Sequence, residues 1–215
     1  MIEALTPSEV RVLGSLIEKE ATTPEYYPLS LNALVNACNQ KSNRDPVVDF
    51  DEETVLTALE RLRALGLAFI ITGGRVTKYS QRISETLNLG RRELAVLCTL
   101  FLRGPQTLGE IKDRSERMFA FGDLSEVESV LDRLAEWPGG TLATKLPKQP
   151  GQKEIRFAHL LAGEPSFEPG TGGTTSSPPS PSAPRMVQLE IDLQQLRAEF
   201  QELRERFEQL EAQLK

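Results

Sequence analysis

The chain has 215 residues, 39% of them apolar and 26% charged, with a net charge of −6. That length holds one large domain or two small ones, and the composition is ordinary for a soluble globular protein. No run approaches the roughly 20 apolar residues that span a bilayer. An acidic whole also disfavours a sequence-independent nucleic-acid binder, which needs concentrated positive charge.

The start, Met1-Ile2-Glu3-Ala4, lacks the basic, apolar character of a secretory signal, so a cytoplasmic location is expected. Thr6-Pro7-Ser8-Glu9 then reads as a helix start, with Thr6 as cap, Pro7 at the first position and Glu9 closing a capping box. Val10, Leu13 and Ile17 follow at helical spacing. Ser30 caps a short second helix carrying Leu31, Leu34 and Val35. A third helix starts near Asp51, buries Val55, Ala58, Leu59, Leu62 and Leu65, and ends at Gly66. Residues Ala68 to Ile71 and Val76 to Tyr79, joined by Gly73-Gly74, predict a β-hairpin.

The same order then repeats. Leu5, Glu9, Val12 and Leu13 are matched 84 positions on by Leu89, Glu93, Val96 and Leu97. Pro28, Ser30, Leu31 and Leu34 are matched 77 positions on by Pro105, Thr107, Leu108 and Ile111. Val55, Leu59, Arg61 and Leu62 recur as Val127, Leu131, Arg133 and Leu134, and Leu65 as Trp137. A second hairpin is expected from Leu142 to Lys145 and from Ile155 to Phe157. Three helices and a hairpin, twice, predict a mainly α fold with small β-wings (α+β): winged-helix domains at 1–85 and 86–162, packed as a rigid pair. Cys38 and Cys98 lie in apolar helical patterns and read as reduced, buried small hydrophobes.

Residues 163–185 contain six Pro, four Gly and eight Ser or Thr, which predicts a flexible linker whose ends lie roughly 25–30 Å apart. From 186 to 215, Met186, Leu193, Phe200, Phe207 and Leu214 alternate with Leu189, Leu196, Leu203 and Leu210 as the a and d positions of a coiled coil. In a parallel homodimer the flanking positions pair Asp192 with Arg197, Glu199 with Arg204 and Arg206 with Glu211, all attractive. Self-association through this helix is therefore expected. A trimer and an antiparallel pair stay open, because Phe at two a positions is unusual for a dimer.

No catalytic, cofactor or metal constellation is found, and no small-molecule substrate is implied. His159 stands alone just past the second wing, and Asp51-Glu52-Glu53 complements a helix dipole. The chain therefore reads as a binding protein. Candidate nucleic-acid or partner contacts are Asn39, Gln40, Lys41, Asn43 and Arg44 in one loop, Arg75 and Lys78 in the first wing, and Lys145, Lys148, Lys153 and Arg156 in the second. For the loop, amides capping the second helix are an equal use. The third helices open with Asp51-Glu52-Glu53 and Asp123-Leu124-Ser125-Glu126, which disfavours their insertion into a major groove.

Leu16-Ile17-Glu18-Lys19-Glu20, Tyr27-Pro28-Leu29-Ser30, Ala37-Cys38-Asn39-Gln40-Lys41-Ser42-Asn43-Arg44 and Arg75-Val76-Thr77-Lys78-Tyr79 resemble the bacterial YceH-like family, over about residues 5–162. The resemblance implies tandem winged helices and no settled activity, so no site residue carries over. The expected function is a dimeric DNA-associated transcriptional regulator. The alternative is a protein–protein assembly module that docks through its winged helices without touching DNA.

Overall fold

The computed structural model describes residues 3–72, 74, 76–148, 152 and 154–164. The expectations for Arg75, Lys153, most of the linker, and the heptad residues Leu189, Leu193, Leu196, Phe200, Leu203, Phe207, Leu210 and Leu214 lie outside these residues.

Helix α1 (Pro7–Thr22) begins as its sequence dictates: Thr6 accepts from the Glu9 amide while the Glu9 carboxylate accepts from the Thr6 amide. A single 3-10 turn (Pro24–Tyr26) leads to the two-residue strand β1 (Leu29–Ser30). Ser30 caps α2 (Leu31–Cys38), and Asp51 caps α3 (Glu52–Ala64). Gly66, at φ 72°, supplies the left-handed residue that turns the chain out of α3 into β2 (Ala68–Ile71). The return strand β3 is Lys78–Gln81, two residues later than the β-prone run alone suggests. Strand β1 explains the shift, because β3 lies between β1 and β2 and its register is fixed from both sides.

A short helix α4 (Ile83–Thr86) occupies what reads as a connector. The second copy then runs α5 (Arg91–Arg103), α6 (Leu108–Ser115), α7 (Leu124–Ala135), β4 (Ala143–Lys145) and β5 (Phe157–His159). Thr107 forms a second capping box with Glu110, and Asp123 caps α7. Strands β4 and β5 pair antiparallel, and Gln106 bridges to Phe157 where the first copy has its β1–β3 pairing. His159 is thus the last residue of β5, inside the sheet rather than beyond it. The fold is α+β, with helices and small antiparallel sheets in the same order twice.

The described residues fall within one compact unit, and its spine is the α1–α5 pair. Glu9 to Ile17 are buried without interruption, as are Ala95 to Leu102. One face of each helix packs its own repeat and the other packs its counterpart. Fully buried Leu13, Leu16, Leu97 and Leu100 sit in this spine, each side chain contributing about 1.5–3 kcal/mol by leaving water. At this crossing Cys98 Sγ donates to the Gly14 carbonyl at 3.3 Å. These two residues are themselves matched at the 84-position offset.

The repeat also carries polar chemistry. Buried Glu9 pairs with Arg61 at 3.0 Å, and buried Glu93 pairs with Arg133 at 2.9 Å. Each ties the start of the first helix of a copy to its third helix, using residues that the internal alignment had matched. Gly90 caps α5 because Glu93 fills the space: a Cβ there would lie 2.7 Å from Glu93 Oε2.

Candidate functional site

The loop after α2 is one of the basic candidates, and its arginine faces inward. Arg44 is buried: its guanidinium donates to Glu18 at 2.6 and 3.0 Å, to the Ala37 carbonyl at 2.8 and 3.1 Å, and to the Asn43 carbonyl at 2.9 Å. Beside it, buried Arg11 donates to the carbonyls of Cys38 at 3.1 Å and Pro46 at 2.6 Å. Two guanidiniums thus satisfy the carbonyls that α2 leaves open at its C-terminus. Burial first, and then the neighbouring Arg44 charge, hold the Arg11 pKa below its usual value.

Asn39 exchanges two hydrogen bonds of 2.8 Å with the Phe50 backbone, so its amide closes the loop. Asn43, at φ 60°, accepts from Arg103 of α5 and ties the loop to the second copy. Gln40 is half-buried, and Lys41 is exposed. Of the five residues singled out in this loop, Lys41 is the one whose charge is displayed.

In the first hairpin Lys78 is exposed on β3. Arg82 lies 5.9 Å from the centre of the Phe69 ring and pairs with Glu85 at 3.1 Å. Phe69, Ile71 and Val76 are 49%, 40% and 58% exposed, so this hairpin displays apolar side chains as well as cations. In the second copy Lys145 and Lys148 are exposed beside a groove of about 370 Å³ that also includes Leu108, Leu124, Ile155 and Phe157. Arg156 is committed elsewhere: it donates to the Pro105 carbonyl at 2.8 Å and pairs with Glu110 at 3.4 Å.

The third helices present acid. Asp51 caps the Thr54 amide at 2.8 Å, and Asp123 accepts from the Glu126 amide at 3.0 Å and from Ser125 Oγ at 2.6 Å. Hydrogen bonds from Thr54, and from Ser125 and Glu126, hold both carboxyls below the usual range. Glu52, Glu53 and Glu60 are exposed on α3, as are Glu128 and Asp132 on α7, with exposed Glu136 just after it.

His159 stacks edge-on against Phe101, with ring centres 4.9 Å apart, and its Nδ1 has no hydrogen-bond partner among the described residues. Burial pushes its pKa down to about 4, so the ring is neutral in the fold. In the unfolded chain it takes a proton near pH 6.5. Stability that is full above about 6.5 is therefore lost as pH falls toward 4, by about 1 kcal/mol between pH 7 and 5.5. We expect His159→Leu to remove that part of the pH slope in urea titrations. An unchanged slope would place the ring in water. Among the described residues no group of three or more His, Cys, Asp and Glu could hold a metal ion, and no helix is long and apolar enough to cross a membrane.

Residues 5–152 match the family described as "Protein of unknown function, DUF480". A UPF0502 protein from Solibacter usitatus (strain Ellin6076) is 64% identical over 161 residues, 74% of this chain and 77% of that protein. A UPF0502 protein from Citrifermentans bemidjiense is 58% identical over 168 residues, 78% of each chain. The chain belongs to the DUF480 family.

In this DUF480 chain, the residues that sequence reasoning passed over are interior polar ones. Gln106 is fully buried: its side chain donates to the Thr99 carbonyl at 2.8 Å and accepts from Arg114 at 2.7 Å. Nothing in its immediate surroundings signals this, since the sequence Gly104-Pro105-Gln106-Thr107 reads as an ordinary turn. Trp137 donates from Nε1 to the Leu87 carbonyl at 3.0 Å and so ties α7 to the link between the copies.

Proposed function

We propose that this DUF480 chain is a non-catalytic assembly protein: two tandem winged-helix units, dimeric through the C-terminal heptad helix, that dock on protein rather than read DNA bases. The observation that carries this reading is the charge on the two third helices. Glu52, Glu53 and Glu60 on α3, and Glu128, Asp132 and Glu136 on and after α7, are all exposed where a base-reading helix would meet phosphates. Burial of Arg44 removes a main cation from the basic loop, and Arg156 is held by Glu110. The exposed apolar side chains Phe69, Ile71 and Leu124 suit a protein partner, for which desolvated apolar anchors supply affinity.

A second reading, contact with DNA backbone, is favoured by exposed Lys41, Lys78, Lys145 and Lys148. A salt-titrated gel-retardation assay on the full chain separates the two. Protein docking predicts no retardation of duplex DNA even at low salt, a partner retained through nuclease treatment, and loss of that partner on Glu53→Lys/Glu60→Lys. Retardation that falls steeply with salt and weakens in Lys41→Ala/Lys78→Ala would overturn it in favour of DNA.

A further inference from the structure

Strand β2 poses a problem that the fold as described leaves unsolved. It is the outer strand of the β1–β3–β2 sheet, and its other edge carries no strand among the described residues. Natural sheets guard such edges with charge, proline or a bulge. Ala68-Phe69-Ile70-Ile71 has no charge and no proline, and its register against Gln81 to Lys78 is continuous, so it has no bulge.

The direction of its free backbone groups follows from the ladder. Arg82 donates its amide to the Leu67 carbonyl at 2.8 Å, which marks these residues as a hydrogen-bonded pair. Alternation then turns the N–H and C=O of Phe69 and Ile71 toward β3, and those of Ala68, Ile70 and Thr72 toward the open side. The side chains of Phe69 and Ile71 lie together on the solvent face, 49% and 40% exposed.

We infer that this edge pairs, antiparallel about a two-fold axis at Ile70, with the same strand of a second copy of the chain. At that register Ile70 meets Ile70 of the second copy as a reciprocally hydrogen-bonded pair, and Ala68 meets Thr72. Phe69 then stands directly opposite Ile71 on the outer face, a favourable aromatic–β-branched pair at the closer of the two antiparallel spacings. Charge permits this. The cations on that face, Lys78 and Arg82, both lie one strand inward; Arg82 is paired with Glu85, and the two copies of Lys78 are separated by three strand spacings, about 14 Å. That exceeds the Debye length of about 8 Å at physiological salt.

So short a ladder is weak between free chains. Here it rests on the proposed dimer of the heptad helix. If residues 163–185 form the linker that their composition predicts, two tethered units stay within a few tens of ångströms, where the effective concentration is on the order of millimolar.

The test uses the full chain. Native Cys38 and Cys98 are buried, so cysteines introduced at the surface are the reactive ones. The Phe69→Cys/Ile71→Cys variant is expected to form a reducible covalent dimer under mild oxidation at least about tenfold faster than Val47→Cys, an equally exposed site elsewhere. In the unsubstituted chain the Ile70 amide is expected to exchange at least about tenfold more slowly than in Ile71→Lys, whose charge would block the edge. Sedimentation tells failures apart. A dimeric chain with equal cross-linking at both sites, or fast exchange at Ile70, overturns the edge pairing and leaves the edge to a strand from another protein. A monomeric chain overturns the heptad-helix dimer as well.

Discussion

Replacing Arg44 by Ala is expected to destabilise the fold by about 3–5 kcal/mol, the penalty for breaking a buried ion pair from one side. The Arg44 side chain is fully buried and its partner Glu18 is 13% exposed, so the abandoned carboxylate keeps only Lys19, at 3.6 Å, and limited access to water. Loss of the guanidinium also strips two donors from the Ala37 carbonyl, in the last turn of α2. Glu18→Gln should cost less, about 1–3 kcal/mol, because Arg44 keeps its bonds to Ala37 and Asn43 and the amide can still accept. Urea unfolding of the two single variants and the double variant gives the coupling between the residues. The same experiment bears on function. A phosphate-binding arginine leaves stability nearly unchanged when truncated and weakens binding instead. A midpoint shift of less than about 0.5 kcal/mol would return Arg44 to the surface and strengthen the DNA reading.

Arg44 also shows where the sequence stopped being legible. Asn39 to Arg44 is basic and amide-rich, and from the chain alone such a run reads as a display surface. What turns its arginine inward is Glu18, on a different helix, together with the Ala37 carbonyl that α2 leaves open. The features read correctly are local: Thr6 with Glu9, Ser30, Asp51 and Gly66 each act within a few residues of themselves. The repeat extended that reach. It matched Glu9 and Arg61 with Glu93 and Arg133 before either pair was known to touch, and both pairs are ion pairs in the fold. Strand β1 leaves no mark in the sequence because two residues carry no periodicity, and the β-prone run alone puts the start of β3 two residues early. His159 was read as lying beyond the sheet for the same reason, since a three-residue strand has no pattern to mark its end.

Gly14→Leu is expected to be the most damaging single change in the spine, at about 3 kcal/mol or more, through overpacking where α1 crosses α5. A Cβ on Gly14 would already lie 2.9 Å from Leu102 Cδ2 and 3.0 Å from Phe101 Cβ, before any of the longer side chain is placed. Leu102 can move its terminal methyl by a few tenths of an ångström, whereas the Phe101 Cβ is fixed to the helix. Gly14→Ala should therefore already destabilise: roughly 1 kcal/mol of helix propensity gained in mid-helix is outweighed by the overlap with the Phe101 Cβ, which cannot give way. A leucine costs more still, because Leu13, Leu16, Leu97 and Leu100 leave no exposed space around the crossing. It must push α5 away from α1, and with it one copy from the other. Calorimetry distinguishes this from a local defect. The parent chain's compact unit should unfold in one transition, and Gly14→Leu should split it into two, one for each repeat. A single, merely lowered transition would mean that the copies are held together by contacts such as Arg103–Asn43 and Trp137–Leu87 as strongly as by the crossing itself.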